Sequence, residues 1–210
     1  MMESILYKNY NLVTASELHD MDDNTYRFEM CNLLRLGLIR DASFYEWMIL
    51  NFQEIMDRED SALTYIISKV KIIMQFFEAK DPNRIKECKM LEYGECVADA
   101  LQGTLDKGYD YSELLALGII AISHISYKRE MLSWEEFYEI RDMFVPFNLP
   151  IALDKYDVDK ALNILNSNIC NQNVYDSFVL LKKIGKAVFV NDIKEEELRA
   201  ALISLIVEWE

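Results

Sequence analysis

The stretch Ser112-Glu-Leu-Leu-Ala-Leu-Gly-Ile-Ile-Ala-Ile-Ser-His-Ile-Ser-Tyr127 decides the fold. Ser112 is a favourable N-cap residue, and Glu113–Tyr127 carries apolar residues on almost every side of a helix. A helix that is apolar all round is buried by its neighbours, so this segment predicts the central helix of a helical domain. Its apolar run, Leu114–Ser123, is much shorter than the roughly 20 residues that cross a bilayer, so no membrane association is expected.

Helical patterns continue on both sides of this segment, because apolar residues recur at three- and four-residue spacing and only six glycines and three prolines interrupt the chain. The first segment, Ile5–Val13, alternates weakly and predicts a short extended lead-in, and His19 follows in a polar stretch that predicts a loop. About eight helices are predicted. The first four are Thr25–Arg40 after an Asn24 cap, a helix that starts at the Ser43/Glu46 capping box and reaches Phe52, a helix from Asp60 or Ser61 to about Glu78, and Arg84–Leu105, which is interrupted at Gly94. The other four are Glu113–Tyr127, a helix that is capped by Ser133 and stops at Pro146, Asp157–Leu165 and Glu195–Trp209.

Two β-rich runs stand near the C-terminus. Phe178-Val-Leu-Leu181 and Ala187-Val-Phe-Val190 are joined by Lys182-Lys-Ile-Gly185, which predicts a hairpin. No linker or repeat divides the chain. The sequence therefore predicts one mainly α domain over residues 1–210, an arrangement of about eight helices with one small β-hairpin.

Composition restricts the partners and the compartment. The net charge is −14, from 36 acidic and 22 basic residues, and a field of that sign opposes binding to nucleic acid and to anionic membranes. The sequence does not open with an apolar leader, and the four cysteines, at positions 31, 88, 96 and 170, are scattered without paired spacing. We therefore expect a cytoplasmic protein whose cysteines are buried thiols.

Few residues in the sequence suggest chemistry. His19 and His124 are far apart and lack the spacing of a zinc motif; His124, on the apolar helix, is expected in the core or an interface. Glu92, Glu95 and Asp99 have spacings that place them on one helix face, where they could hold a hard cation such as Mg²⁺ or Ca²⁺. The alternative is a solvated acidic face, which we favour because acidic residues are so common in this chain.

Several motifs, in order, resemble those of the 3-dehydroquinate synthase family. Leu33-Leu-Arg-Leu-Gly-Leu-Ile39 is similar to the family's E-V-I-K-Y-G-L-I, and Leu91-Glu-Tyr-Gly-Glu-Cys-Val-Ala-Asp-Ala-Leu-Gln102 to L-N-F-G-H-T-F-G-H-A-I-E. Phe178-Val-Leu-Leu-Lys-Lys-Ile-Gly-Lys-Ala187 matches F-V-L-L-x-x-I-G-K-A, and the resemblance extends from about Ser4 to the C-terminus. It implies the helical, metal-binding C-terminal domain of a sugar-phosphate cyclase.

The resemblance also implies that the family's chemical groups have been replaced. The family holds zinc with one glutamate and two histidines, and those positions are Asn32, Glu95 and Tyr111 here. The proton-transfer histidine corresponds to Asp99, and the asparagine before it to Glu92. An amide and a neutral phenol are poor zinc donors, so neither a metal site nor catalytic residues are expected. The remaining family positions that bear on catalysis are two lysines, one replaced by Arg35 and one kept as Lys71.

The cofactor half of the family has no counterpart in this sequence. The family's glycine-rich, NAD-binding half is not matched, so the resemblance implies a chain that cannot carry out hydride transfer to NAD alone. The Met1-Met2 start favours a natural short gene product.

Two hypotheses about function follow from these replacements. The first is an inactive, zinc-free and NAD-free scaffold whose former interdomain face binds a partner protein, a second copy or a small ligand. The alternative is the helical subunit of a split cyclase completed by a separate NAD-binding chain.

Overall fold

The structure is a computed structural model that describes residues 4–80, 87–105, 108–171 and 178–206. Within them it is mainly helical, with one antiparallel hairpin near the C-terminus, and this confirms the predicted fold class. Short 3₁₀ segments occupy Glu87–Glu92 and Val145–Phe147. The other elements are α1 (Ile5–Asn9), α2 (Ala15–His19), α3 (Asp23–Arg40), α4 (Ala42–Leu50), α5 (Phe52–Met56), α6 (Asp60–Lys80), α7 (Glu95–Gln102), α8 (Tyr111–Lys128), α9 (Trp134–Asp142), α10 (Val158–Asn171), β1 (Phe178–Lys183), β2 (Lys186–Val190) and α11 (Glu195–Ile203).

The count of about eight helices was low, because three further helices of five residues each, α1, α2 and α5, are present. The predicted extended lead-in is wrong: Ile5–Asn9 is helical because Ser4 caps it, its side chain accepting a hydrogen bond from the amide of Tyr7. His19 is the last residue of α2 rather than a loop residue. Helices this short have too few apolar repeats to show a period in the sequence.

Other differences concern helix ends. The helix α3 is capped by Asp22, not Asn24, and α10 continues past Leu165 to Asn171. The predicted helical positions 84–86 and 207–209, together with the side chains of Cys88 and Cys170, lie outside the described residues.

The predicted central helix, α8, is central in the structure. Residues 114–126 are all buried, and α8 packs against α3, α7, α9, α11 and β1. Its cap is Asp110, not Ser112: the Asp110 carboxylate accepts from the Glu113 amide at 3.1 Å, and the Glu113 carboxylate accepts from the Asp110 amide at 2.8 Å. This reciprocal capping box begins the helix one residue before Ser112 and fixes where Tyr111 stands.

The hairpin is anchored on the end of α3. The amide of Gly185, which has a positive φ of 79°, donates to the carbonyl oxygen of Leu38 at 2.8 Å. The pairing register places Phe178 opposite Val190, and the first four residues of β1 are buried. None of the described helices combines the length and apolar content that crossing a bilayer requires.

His124 lies in the core among aromatic rings, as the sequence predicted. It is 8% exposed, with its ring centroid 5.6 Å from Phe137 and 6.1 Å from Tyr127. Burial and the nearby charge of Lys128 lower the pKa of His124 to about 4, from an ordinary value of 6.5. The fold therefore holds the imidazole in its neutral form around neutral pH.

We expect His124→Phe to reduce the loss of stability on acidification. Below pH 6.5 the unfolded chain protonates its imidazole while the folded chain does not, so stability falls as the pH drops from 6.5 towards 4. The difference in unfolding free energy between neutral pH and pH 4.5 should shrink by about 1–2 kcal/mol in the variant. Urea unfolding across this pH range measures it. The variant His19→Phe, at an exposed histidine, is the control. If the pH dependence of stability were unchanged in His124→Phe, the lowered pKa assigned to His124 would be contradicted.

Candidate functional site

The residues at two of the three positions that hold zinc in the family are bonded to a single cation, the guanidinium of Arg35. Its Nη2 donates to Oδ1 of Asn32 at 2.6 Å, and its Nη1 donates to Oε1 of Glu95 at 2.7 Å. Asn32 and Arg35 lie one turn apart on α3, and Glu95 is the first residue of α7. The sequence placed these side chains together but did not show that Arg35 would lie between them.

Asn32 has both ends of its amide group occupied. Its Nδ2 donates to the carbonyl oxygen of Phe28 at 2.8 Å, while its Oδ1 accepts from Arg35. The residue is fully buried on α3. An amide fixed in this way has its oxygen directed at an organic cation and is not available as a metal donor.

The third ligand position, Tyr111, bonds to the residue at the proton-transfer position. Its hydroxyl donates to Oδ1 of Asp99 at 2.9 Å. Burial raises the pKa of the Tyr111 phenol, and the charges of Asp99 and Glu95 raise it further. Burial also raises the pKa of Asp99, against the opposing effect of the hydrogen bond from Tyr111. Tyr111 is therefore a neutral hydrogen-bond donor at physiological pH, not a phenolate ligand.

The bonded side chains of Asn32, Arg35, Glu95, Asp99 and Tyr111 form a cluster. Glu92 lies at the edge of this cluster with an exposed side chain, at the end of a 3₁₀ segment. Desolvation of the carboxyl group raises the pKa of Glu92, and the negative charge of Glu95 adds to the increase. Within the described ranges, no three His, Cys, Asp or Glu side chains form a group that could hold a metal ion. Glu92, Glu95 and Asp99 therefore do not converge as a hard-cation site would require.

Two residues that the sequence did not indicate, Tyr7 and Glu29, connect α1 to α3 beside this cluster. The hydroxyl of Tyr7, on α1, donates to the carbonyl oxygen of Asn32 at 2.5 Å, and its ring centroid lies 5.6 Å from Arg35 Cζ. Glu29, fully buried one turn before Asn32, accepts from Ser4 Oγ at 2.5 Å and from the Ile5 amide at 2.6 Å. The signal that could have found Glu29 is a charged residue in the middle of the apolar pattern of α3.

Lys71, the other family position, is exposed on α6. The hydrogen bonds and ion pairs that the structure shows for Asn32, Arg35 and Glu95 do not include it. Its assigned role stays a prediction from the resemblance.

The donor set does not fit zinc. A structural or catalytic zinc site uses neutral imidazole, thiolate or carboxylate groups with free lone pairs. Here Asn32 and Glu95 are engaged by Arg35, and Tyr111 is a neutral phenol bonded to Asp99. The guanidinium is also always charged, so it would repel a dication placed among the same three side chains.

The fold agrees with comparisons to known proteins. Residues 30–168 match the family profile described as 3-dehydroquinate synthase C-terminal, and the chain belongs to this family. Among curated relatives, the 3-dehydroquinate synthase of Idiomarina loihiensis is 24% identical over 186 residues, covering 88% of this chain and 52% of the relative. That of Desulforamulus reducens is 23% identical over 197 residues, covering 91% and 54%. The chain thus spans about half the length of these relatives.

Solved structures show the same fold. A 2-epi-5-epi-valiolone synthase from Streptomyces hygroscopicus, with NAD⁺ and Zn²⁺ bound, superposes with a TM-score of 0.79 at 18% identity, over 91% of this chain and 54% of that one. A 2-deoxy-scyllo-inosose synthase complexed with carbaglucose-6-phosphate, NAD⁺ and Co²⁺ gives a TM-score of 0.65 at 16% identity, over the same shares. At these identities the likeness establishes the fold. The seven family positions, Asn32, Arg35, Lys71, Glu92, Glu95, Asp99 and Tyr111, all fall within residues 30–168.

Proposed function

We propose that this chain is a zinc-free and NAD-free binding domain, a catalytically inactive scaffold built on the 3-dehydroquinate synthase C-terminal fold. The observation that carries the proposal is the bonding of Arg35 to both Asn32 and Glu95, two of the three family ligand positions. These side chains are engaged with one another, and the third, Tyr111, is bonded to Asp99. The cluster therefore acts as a structural unit that joins α3, α7 and α8.

The charge of the cluster also argues against the family's substrate class. That substrate carries phosphate and carboxylate groups, whereas here Glu95 is paired with the buried Arg35, and the acidic residues Glu92 and Asp99 belong to the same segment of the chain. The cation is already paired, so an anionic ligand would meet uncompensated negative charge. A protein surface or a second copy of the chain suits this face better.

Metal and cofactor binding by the purified chain test the proposal. We expect metal analysis after gel filtration to find zinc far below one ion per chain, and calorimetric titration with zinc and with NAD⁺ to show no saturable heat. A protein with an established zinc site, such as carbonic anhydrase, carried through the same purification, serves as the control. Stoichiometric zinc that survives dialysis would refute the proposal.

Association on the former interdomain face is the binding activity proposed. Light scattering over a range of protein concentrations tests for a second copy. A change of mass with concentration that Glu92→Lys weakens would support self-association through this face, because Glu92 is exposed and occupies one of the positions that the resemblance assigns to the family's reaction site. The exposed Glu196, on α11, provides the matched Glu196→Lys control.

The second candidate is the helical subunit of a split cyclase. It is favoured by the half-length match, since the chain covers 52% to 54% of the relatives named 3-dehydroquinate synthase. Co-expression with the unmatched N-terminal half of the Idiomarina loihiensis synthase tests it. A stable complex that converts substrate would establish this candidate over the first, and failure to co-purify would exclude that half as a partner.

A further inference from the structure

We infer that the guanidinium of Arg35 replaces the metal ion as the charge around which the three ligand positions are organised, so that restoring the ligands alone would not create a zinc site. The inference rests on the proposed function, because it assumes a chain that holds no zinc. It goes further by naming the group that excludes the metal. It also predicts that zinc would bind once the ligands are restored and Arg35 is replaced by an uncharged residue.

The geometry supports a central cation. Positions 32 and 95 come from different helices, yet both side chains direct an oxygen at Arg35, at 2.6 and 2.7 Å. The third position, Tyr111, at the start of α8, donates its hydroxyl to Oδ1 of Asp99 on α7 at 2.9 Å. A single cation therefore stands at the point where side chains of α3 and α7 meet, beside the start of α8.

The charge and the donor atoms of these positions suit a guanidinium and not a dication. Among the three ligand positions only Glu95 has an acidic side chain, because Asn32 is an amide and Tyr111 is a phenol whose hydroxyl donates to Asp99. One carboxylate matches the single charge of Arg35. The family's set of one carboxylate and two neutral imidazoles carries the same single negative charge but offers two nitrogen donors that bind zinc strongly, which an amide and a phenol do not. With Arg35 still present, even that set would hold an excess of positive charge around zinc.

Burial prevents Arg35 from moving aside. Its side chain is 3% exposed, its Nη1 lies 3.5 Å from the carbonyl oxygen of Tyr93, and the Tyr7 ring covers it. Tyr7 is held in turn by its bond to the Asn32 carbonyl oxygen, and α1 is held by Glu29. Arg35 could leave the site only if α1 were displaced, so the guanidinium is a fixed occupant.

Zinc affinity in two full-length variants tests this inference. The ligand-restored variant carries Asn32→Glu, Glu95→His and Tyr111→His. The cation-free variant carries the same three substitutions with Arg35→Met, which keeps a long unbranched side chain and removes the charge. Competition with a chromophoric chelator measures zinc affinity, and far-ultraviolet circular dichroism checks that both variants are folded. We expect the cation-free variant to bind zinc at least about 100-fold more tightly.

The outcomes separate this inference from the proposed function. Equal zinc affinities in the two variants, or no zinc binding by either when both are folded, would overturn the inference and leave the zinc-free proposal standing. Stoichiometric zinc in the unmodified chain would instead remove the proposed function on which the inference rests.

A second measurement serves if the multiple variants fail to fold. Arg35→Met, Glu95→Gln and their combination are compared by thermal unfolding. If Arg35 is the counter-charge of Glu95, the combined variant should have a Tm at least as high as that of Arg35→Met alone, because the uncompensated carboxylate is gone. Additive losses of Tm would overturn the inference.

Discussion

Arg35→Met is expected to lower the unfolding free energy by about 3 kcal/mol, because it removes one partner from a buried ion pair. Glu95, with a side chain 19% exposed, would lose its cation, and Oδ1 of Asn32 would lose its donor in a fully buried position. Partial access of water to Glu95 keeps the effect at the lower end of the range for buried pairs. Equilibrium unfolding in urea measures the loss.

Arg199→Met is the matched control for this prediction. Arg199 donates to Asp159 at 2.7 Å, but its side chain is 44% exposed and that of Asp159 is 74% exposed. Surface ion pairs of this kind contribute at most about 1 kcal/mol. If Arg35→Met cost no more than Arg199→Met, the cluster would not be the structural unit that we describe.

Gly118→Ala is expected to have a comparably large effect, through the backbone. A Cβ atom at position 118 would lie 2.2 Å from the carbonyl oxygen of Gly94 and 3.1 Å from the amide nitrogen of Ala98. Both contacts are with backbone at the start of α7, so no side chain can rotate away. The carbonyl oxygen of Gly94 accepts from the amide of Ala98 at 3.1 Å, so moving it away would break a backbone hydrogen bond at the start of α7. The unfolding free energy should fall by about 3 kcal/mol or more.

Gly108→Ala is the control, because a Cβ there would meet no atom within 4 Å. Urea unfolding of both variants gives the comparison. The displacement in Gly118→Ala should also move Glu95, which immediately follows Gly94, away from Arg35. A Gly118→Ala protein as stable as Gly108→Ala would show that α7 and α8 are not packed as described.

The sequence predicted the long helices and the hairpin because their signals are local and repeated. The apolar run of α8 and the β-rich runs around Gly185 each extend over many residues, so each predicts its own structure without information on distant contacts. The five-residue helix α1 was missed because its stability comes from Ser4 and from the distant Glu29, which caps it across 24 positions of sequence. The predicted caps of α3 and α8 were both displaced by two positions, because Asp22 and Asp110 compete with equally suitable neighbours.

The candidate site was predictable as a set of positions but not as a set of bonds. The resemblance brought Asn32, Glu95 and Tyr111 together, since a shared fold carries equivalent positions to one place. It could not show that Arg35 would turn towards Asn32 and Glu95, because the direction of a long side chain depends on its partners and on burial. The cover provided by Tyr7 depends on a helix that the sequence did not reveal.

X-ray data collected at the zinc absorption edge, from crystals grown with excess zinc, test the central claim most directly. We expect the anomalous difference map to have no peak among Asn32, Glu95 and Tyr111. Density for the Arg35 guanidinium should lie between Asn32 and Glu95. A strong anomalous peak within bonding distance of Glu95, with Arg35 turned away, would contradict it.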